Sequence, residues 1–527
     1  MTRYLLAAIV LAVTTPTSAL AQAEAWWGHV TALAHDSMRG RETGSPQHRK
    51  AAEYVASVFQ RAGLKPAGTD GWFQPVRFRV RRINEPRSSL ELGRGSKAER
   101  LAFGSDATIN LRGSSSGRVD APLVFIGYGL VSPEHGYDDL KGLAMKGKVA
   151  VVLAGAAPSG LPGPALAAAR AAGAEGLVAA GAIGVLTIAS PHADIPWERY
   201  SLSRLHPQMR FATDTTVTSG HTAITVVLNH ARAERVFDGA PQRYAELQTL
   251  ADSGAPLPRF DLPMRLRATV AVDESEAVSD NVIGLLPGSD SALASQYVAL
   301  TAHLDHLGVG QPQGGDSIYN GAMDNASGIA TLLEAATAVG RRPGRARRSL
   351  LFVAVTAEEK GLLGSDWFAE HPPVPRGSSL VANLNTDMFL PLNPLRQLLV
   401  NGLEESDLAD DVRRAAAKAG VEVITDPEPE RNAFVRSDQF SFIRRGIPAL
   451  SLKGGFTLGT PDHERILRWR QERYHGVEDE VTQPVDRQAA ADFNRLYPEV
   501  IFEVANRATR PAWYPTSAFR PENTRSH

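Results

Sequence analysis

Two repeats of apolar and polar residues run along this chain, and the change from one to the other marks its organisation. Residues 48–62 (HRKAAEYVASVFQRA) place Ala52, Val55, Val58 and Phe59 on one face, with Gly63 following, which predicts an amphipathic helix and its stop. Residues 72–80 (WFQPVRFRV) alternate with a period of two, as a half-buried strand does. From about 119 to 267, short apolar runs at 123–126 and 149–153 are separated by Gly- and Pro-rich turns and one Ala-rich helical stretch at 165–173. From 281 onward, strand-like runs at 298–301, 350–356, 381–385 and 449–452 alternate with helical patterns at 326–339, 362–370, 408–419 and 487–507. That alternation predicts an α/β fold with a mostly parallel central sheet flanked by helices. The expected organisation is a leader at 1–21, a first part of the main domain at 22–100, an inserted β-rich domain at 101–270, and the rest of the main domain at 271–527.

The leader changes the compartment. Arg3 supplies a positive start, residues 4–13 are an apolar run, and Ser18-Ala19-Leu20-Ala21 ends in small residues before Gln22, the order of an export signal. The expected location is therefore the bacterial periplasm or the extracellular space. Ten apolar residues are too few to cross about 30 Å of hydrocarbon, and no later stretch reaches 18, so no membrane span is expected. The chain contains no cysteine, which removes disulfides, thiol nucleophiles, thiolate metal sites and a lipid-modified anchor. With 56 Lys+Arg against 57 Asp+Glu, there is no single-sign field to attract nucleic acid.

The chemistry lies at the strand ends. In α/β sheets ligands gather beyond the carboxyl ends of the strands, and there the chain carries His303 and Asp305, Asp324, Glu358 and Glu359, and Asp387, with His475 in a later loop. Taken singly, a Glu-Glu pair is an ordinary solvated face and an Asp-Asn an ordinary helix cap. Their recurrence at successive strand ends predicts a metal site. Imidazole and carboxylate without thiolate suit Zn²⁺, Mn²⁺ or Co²⁺. Three carboxylates and a bridging hydroxide would balance two divalent cations, which favours a paired site able to activate water. Asp305, two residues past His303, has the position of a carboxylate that orients a metal-bound imidazole.

His303-Leu304-Asp305, Asp324-Asn325-Ala326-Ser327-Gly328, Glu358-Glu359, Asn385-Thr386-Asp387 and Tyr474-His475 together resemble the motif set of the co-catalytic di-zinc aminopeptidases. The likeness extends to residues 36–44 (DSMRGRETG), and Gly127-Tyr128-Gly129, 137–140 (YDDL) and 146–149 (KGKV) resemble a protease-associated domain. The resemblance implies an exported exopeptidase acting on peptides, with Asp324 bridging two Zn²⁺. Glu359 and His475 would complete one site, His303 and Asp387 the other, and Glu358 would be the general base. It also implies a cis peptide at Asp324–Asn325. The run Gly476-Val477 departs from relatives that carry Pro or Ser after the last histidine, which leaves the adjoining pocket unassigned. Arg436-Ser437-Asp438 resembles a family segment lining the substrate site and is also readable as a surface turn with a helix cap. A carboxypeptidase or a glutaminyl cyclase on the same fold, and a non-catalytic binding protein, are the competing readings; the cyclase implies one zinc.

Overall fold

The computed structural model describes residues 16–521 apart from 96, 112–116, 156, 162, 194, 214–222 and 518. Most of the expected export segment, residues 1–15, lies outside the described residues. A helix then runs over Pro16–Leu33 and buries Trp26 and Val30.

One sheet carries the strand ends singled out above. Its order is Gln208–Phe211, Phe73–Ile83, Val272–Leu286, Ser349–Val355, Gln296–His303, Ser379–Asn385, Ala449–Gly454, Gln397–Asn401 and Glu422–Ile424, with Lys65–Pro66 alongside Val272–Leu286. The four strands at its heart, from Ser349–Val355 to Ala449–Gly454, are parallel. The expected parallel centre is thus present, extended on both flanks by antiparallel pairs, with Gln397–Asn401 and Glu422–Ile424 again parallel at one edge. The cause is connectivity. Helices Ser327–Arg341 and Leu363–Glu370 lie in the connections that return the chain to parallel strands. The strands Phe73–Ile83 and Val272–Leu286 instead run out and back as a long ribbon paired from Val272–Ile83 to Val282–Phe73. Every residue of Ser349–Val355 is buried, as a strand covered on both faces requires. One face packs against helices Pro16–Leu33, Pro46–Arg61, Ser327–Arg341, Leu408–Ala419 and Arg487–Asn506. The other meets Leu363–Glu370 and Gln439–Ile443 through Phe368 and Phe442.

The second sheet hangs from that ribbon. It begins at Ser89, earlier than the sequence boundary of 101, and runs to Val270 in eight strands around its own core of Leu123, Val151, Leu186 and Leu266. One strand from the same stretch, Gln208–Phe211, leaves it and joins the first sheet beside Phe73–Ile83. That crossing ties the stretch carrying the second sheet to the edge of the first.

Candidate metal centre

The parallel strands deliver their donors through strained turns. Ala357, two residues past the Ser349–Val355 strand and just before Glu358, has φ 56°; Met388, directly after Asp387, has φ 48°; His475 itself has φ 55°. Left-handed backbone at residues with a side chain is uncommon and concentrates where a site over-determines the geometry. The peptide Asp324–Asn325 is cis. Asn325 then joins two donor loops: its Oδ1 accepts from the amides of Gly328 (3.0 Å) and Met388 (3.1 Å), and its Nδ2 donates to the Thr386 carbonyl (3.0 Å). A Cβ at Gly328 would sit 2.3 Å from Asn325 Oδ1, so the close approach requires glycine there.

Four of the expected residues gather around the fifth, Asp324. His303 Nε2 lies 3.2 Å from Asp324 Oδ1 and 3.4 Å from Asp387 Oδ1. His475 Nε2 lies 3.2 Å from Asp324 Oδ2 and 3.5 Å from Glu359 Oε2. Two ligand atoms bonded at about 2.0–2.1 Å with a tetrahedral angle between them stand about 3.3 Å apart. The donor set therefore fits two adjacent zinc-sized positions sharing one carboxylate. Asp387 Oδ1 is buried without a hydrogen-bond partner, the orphaned acceptor that a cation would satisfy. Glu358 offers a carboxylate oxygen within 4.8 Å of the His303 and Asp387 donors.

The electrostatics describe a site built for positive charge. Burial works against His303 and His475, yet both are held well above the ordinary imidazole range. Glu358 and Asp324 act on the first; Tyr474, Glu359 and Asp324 act on the second. Burial pushes the Glu358 carboxyl well above its ordinary range, with Glu359 adding to the rise and His303 opposing it. Burial also lifts Asp438, in the segment resembling a substrate wall, to about 7.

Asp305 departs from its expected role. His303 Nδ1 is 3.1 Å from the main-chain carbonyl of Asp305, and the carboxylate points elsewhere. It accepts from Thr43 Oγ1 (2.8 Å) and from the amides of Glu358 (3.1 Å) and Glu359 (3.3 Å). Asp305 thus holds the Glu-Glu turn, while the backbone orients the imidazole.

Residues 281–501 match the sequence pattern of peptidase family M28. The chain is 25% identical to aminopeptidase YwaD of Bacillus subtilis over 236 residues, 44% of this chain and 46% of that protein. It is 31% identical to leupeptin-inactivating enzyme 1 of Streptomyces exfoliatus over 183 residues, 34% of this chain and 37% of that protein. The chain spans less than half the length of these curated relatives. Among solved structures, an aminopeptidase from Aneurinibacillus sp. strain AM-1 is similar with a TM-score of 0.54 at 18% identity, covering 93% of this chain and 95% of that one. BSAP, a zinc aminopeptidase from Bacillus subtilis, has a TM-score of 0.50 at 20% identity, covering 92% and 95%. At these identities the likeness carries the fold.

Three residues that support the centre were not singled out by the sequence pattern. His306 is buried and its Nδ1–H donates to Glu359 Oε1 (2.9 Å), but it stands 3.9 Å from Asp324, farther than His475. His306, Asp324 and Glu359 also bring one donor atom each within 4.8 Å of one another. Asp479 accepts from the amides of Met323 (2.9 Å) and Asp324 (3.0 Å). Arg199, from the inserted stretch, donates to the carbonyls of Gln471, Glu472 and Tyr474, bracing the loop that carries His475. Only His306 left a trace in sequence, as a second histidine one residue past Asp305. Residues 36–44 matter through Arg41, which is fully buried and donates to the carbonyls of Leu33, Leu304, Asn320 and Gly321. Burial lowers its pKa to about 10, against the pull of Asp479 and Asp305, so it stays cationic behind the acidic centre.

Proposed function

We propose that this chain is a member of peptidase family M28 and an exported, zinc-dependent aminopeptidase that removes N-terminal residues from peptides. The observation that carries the reading is the spacing of the five donors about Asp324, with Glu358 beside them. Two Zn²⁺ held by His303, Asp387, Asp324, Glu359 and His475 would polarise the scissile carbonyl and make water acidic enough to attack at neutral pH. Glu358 takes a proton from the attacking water at its carboxylate oxygen as the water oxygen bonds to the carbonyl carbon. The same oxygen gives that proton to the amine nitrogen as the carbon–nitrogen bond breaks. Asp305 fixes the Glu358 turn through its amide, and Asn325 fixes the spacing of Asp324 and Asp387. Export rests on the leader-like residues 1–21. The sheet within 89–270 is the protease-associated-like unit, restricting the cleft to short or unfolded peptides. The name of the curated relative YwaD, an aminopeptidase, supports attack from the amino end over a carboxypeptidase.

The test is hydrolysis of leucine p-nitroanilide. Activity is expected to vanish with a chelator and return with Zn²⁺, and elemental analysis should find close to two ions per chain. Glu358→Gln should lower kcat about 10²- to 10⁴-fold while keeping both ions. A variant that turns over normally would remove the base assignment, and a single ion per chain would favour the cyclase reading.

A further inference from the structure

The cleft of about 570 Å³ continues past the metal donors to a wall formed by the antiparallel strands Gln397–Asn401 and Ala449–Gly454. Leu399 faces Lys453 across the ladder, and both line the cleft with Asn401, while Leu452 turns into the core. Alternation along the strand thus forces the lysine side chain towards the cavity. Beside the lysine the wall has an apolar patch: Leu399 packs with Phe456 and Ile466, and Phe389 lines the same space.

Among the described residues lining this cleft, Lys453 and Arg436 are cations that make no ion pair, and Lys453 is the one on this wall. Nearby Arg470 donates to Glu428 (2.7 Å), and Arg431 stands 3.6 Å from the same carboxylate. Arg444, farther along the cleft, is paired with Asp366. Asp426 accepts from the amide of Glu428. Among the described residues no carboxylate lies within 4.0 Å of Lys453 Nζ, and its side chain makes no hydrogen bond. Burial pulls its pKa down, with the charge of Asp387 opposing. An ammonium withdrawn from water without a partner is costly, and an arriving anion removes that cost. Asp387 is committed to the metal position, so it does not supply that anion.

We infer that Lys453 is a specificity-determining residue that receives a carboxylate of the substrate, directing the enzyme to peptides that begin with Glu or Asp. This rests on the peptidase reading above. The methylenes of an acidic side chain lie against Phe389 and Phe456, and its carboxylate meets the ammonium beyond them. The same chemistry resides in the C-terminal carboxylate of a dipeptide, so the test separates the two sources.

The wild-type, Lys453→Met and Lys453→Glu zinc enzymes are compared on the p-nitroanilides of Glu, Leu and Lys, and on Leu-Gly against Leu-Gly-amide. Lys453→Met is expected to lose about 10- to 100-fold in kcat/KM on the Glu anilide, with Leu anilide within about twofold of wild type. Lys453→Glu should shift preference towards the Lys anilide. L-Glutamate should inhibit wild type more strongly than L-leucine, and this difference should disappear in Lys453→Met. A loss confined to Leu-Gly, and absent for its amide, would assign the carboxylate to the peptide's C-terminus and keep the lysine's role. Equal losses on every substrate, or none, would overturn the inference. Wild type inert on all substrates with two Zn²⁺ bound would instead overturn the aminopeptidase reading.

Discussion

Asp479 is the residue whose removal tests whether the centre is held from behind. Its buried carboxylate accepts from the amides of Met323 (2.9 Å) and Asp324 (3.0 Å) and from Gln483 Nε2 (2.6 Å). Asp479→Ala strips two buried backbone donors and a side-chain amide of their acceptor. A buried donor left unsatisfied costs about 1–3 kcal/mol, so the two amides alone should cost about 2–6 kcal/mol in the metal-free protein. The same amides fix the turn that presents Asp324 between the two imidazoles, and loss of such outer partners typically weakens metal binding about 10- to 100-fold. Asp479→Asn keeps one acceptor oxygen and should recover part of both losses. The assay is urea denaturation of the metal-free chain, following tryptophan emission, alongside zinc competition with a chromophoric chelator. If Asp479→Ala matches wild type in both midpoint and zinc affinity, the carboxylate does not position Asp324 and the argument fails.

Two other outcomes follow from the same physics. Arg199→Ala should weaken zinc retention at the His475 position about tenfold, because the loop carbonyls of Gln471, Glu472 and Tyr474 lose their donor; unchanged zinc release would show that the inserted unit does not brace the loop. His48 is buried with its pKa pulled to about 3, by burial first and then by Arg41 and Arg49. The unfolded chain binds this proton near pH 6.5 and the folded chain does not, so stability is full above about pH 6.5 and falls as pH drops towards 3. His48→Gln should flatten the stability–pH slope in that window by about 1.4 kcal/mol per pH unit, measured by urea midpoints at stepped pH; an unaltered slope would contradict it.

Much of the fold was legible because local pattern and tertiary role agree. The helix at 408–419 and the strand at 381–385 are found almost residue for residue, since their apolar periods are the faces they bury. The antiparallel flanks of the sheet were not legible. Whether a strand pairs parallel or antiparallel depends on which neighbour it meets after a long excursion, and Phe73–Ile83 meets Val272–Leu286 only after the inserted unit.

The donor chemistry of the centre is a property of the sequence. Histidine and carboxylates at the ends of successive apolar strands must come together wherever those strands form one sheet, because a parallel sheet gathers its carboxyl ends along one edge. The tertiary structure alone decided what holds those donors. Asp305 turns its carboxylate to the amides of Glu358 and Glu359, Asp479 reaches back across 155 residues to Asp324, and Lys453 faces the cleft unpaired. Donor type is written in each residue, but direction and pairing are set by distances between segments far apart in the chain, and no local pattern encodes them.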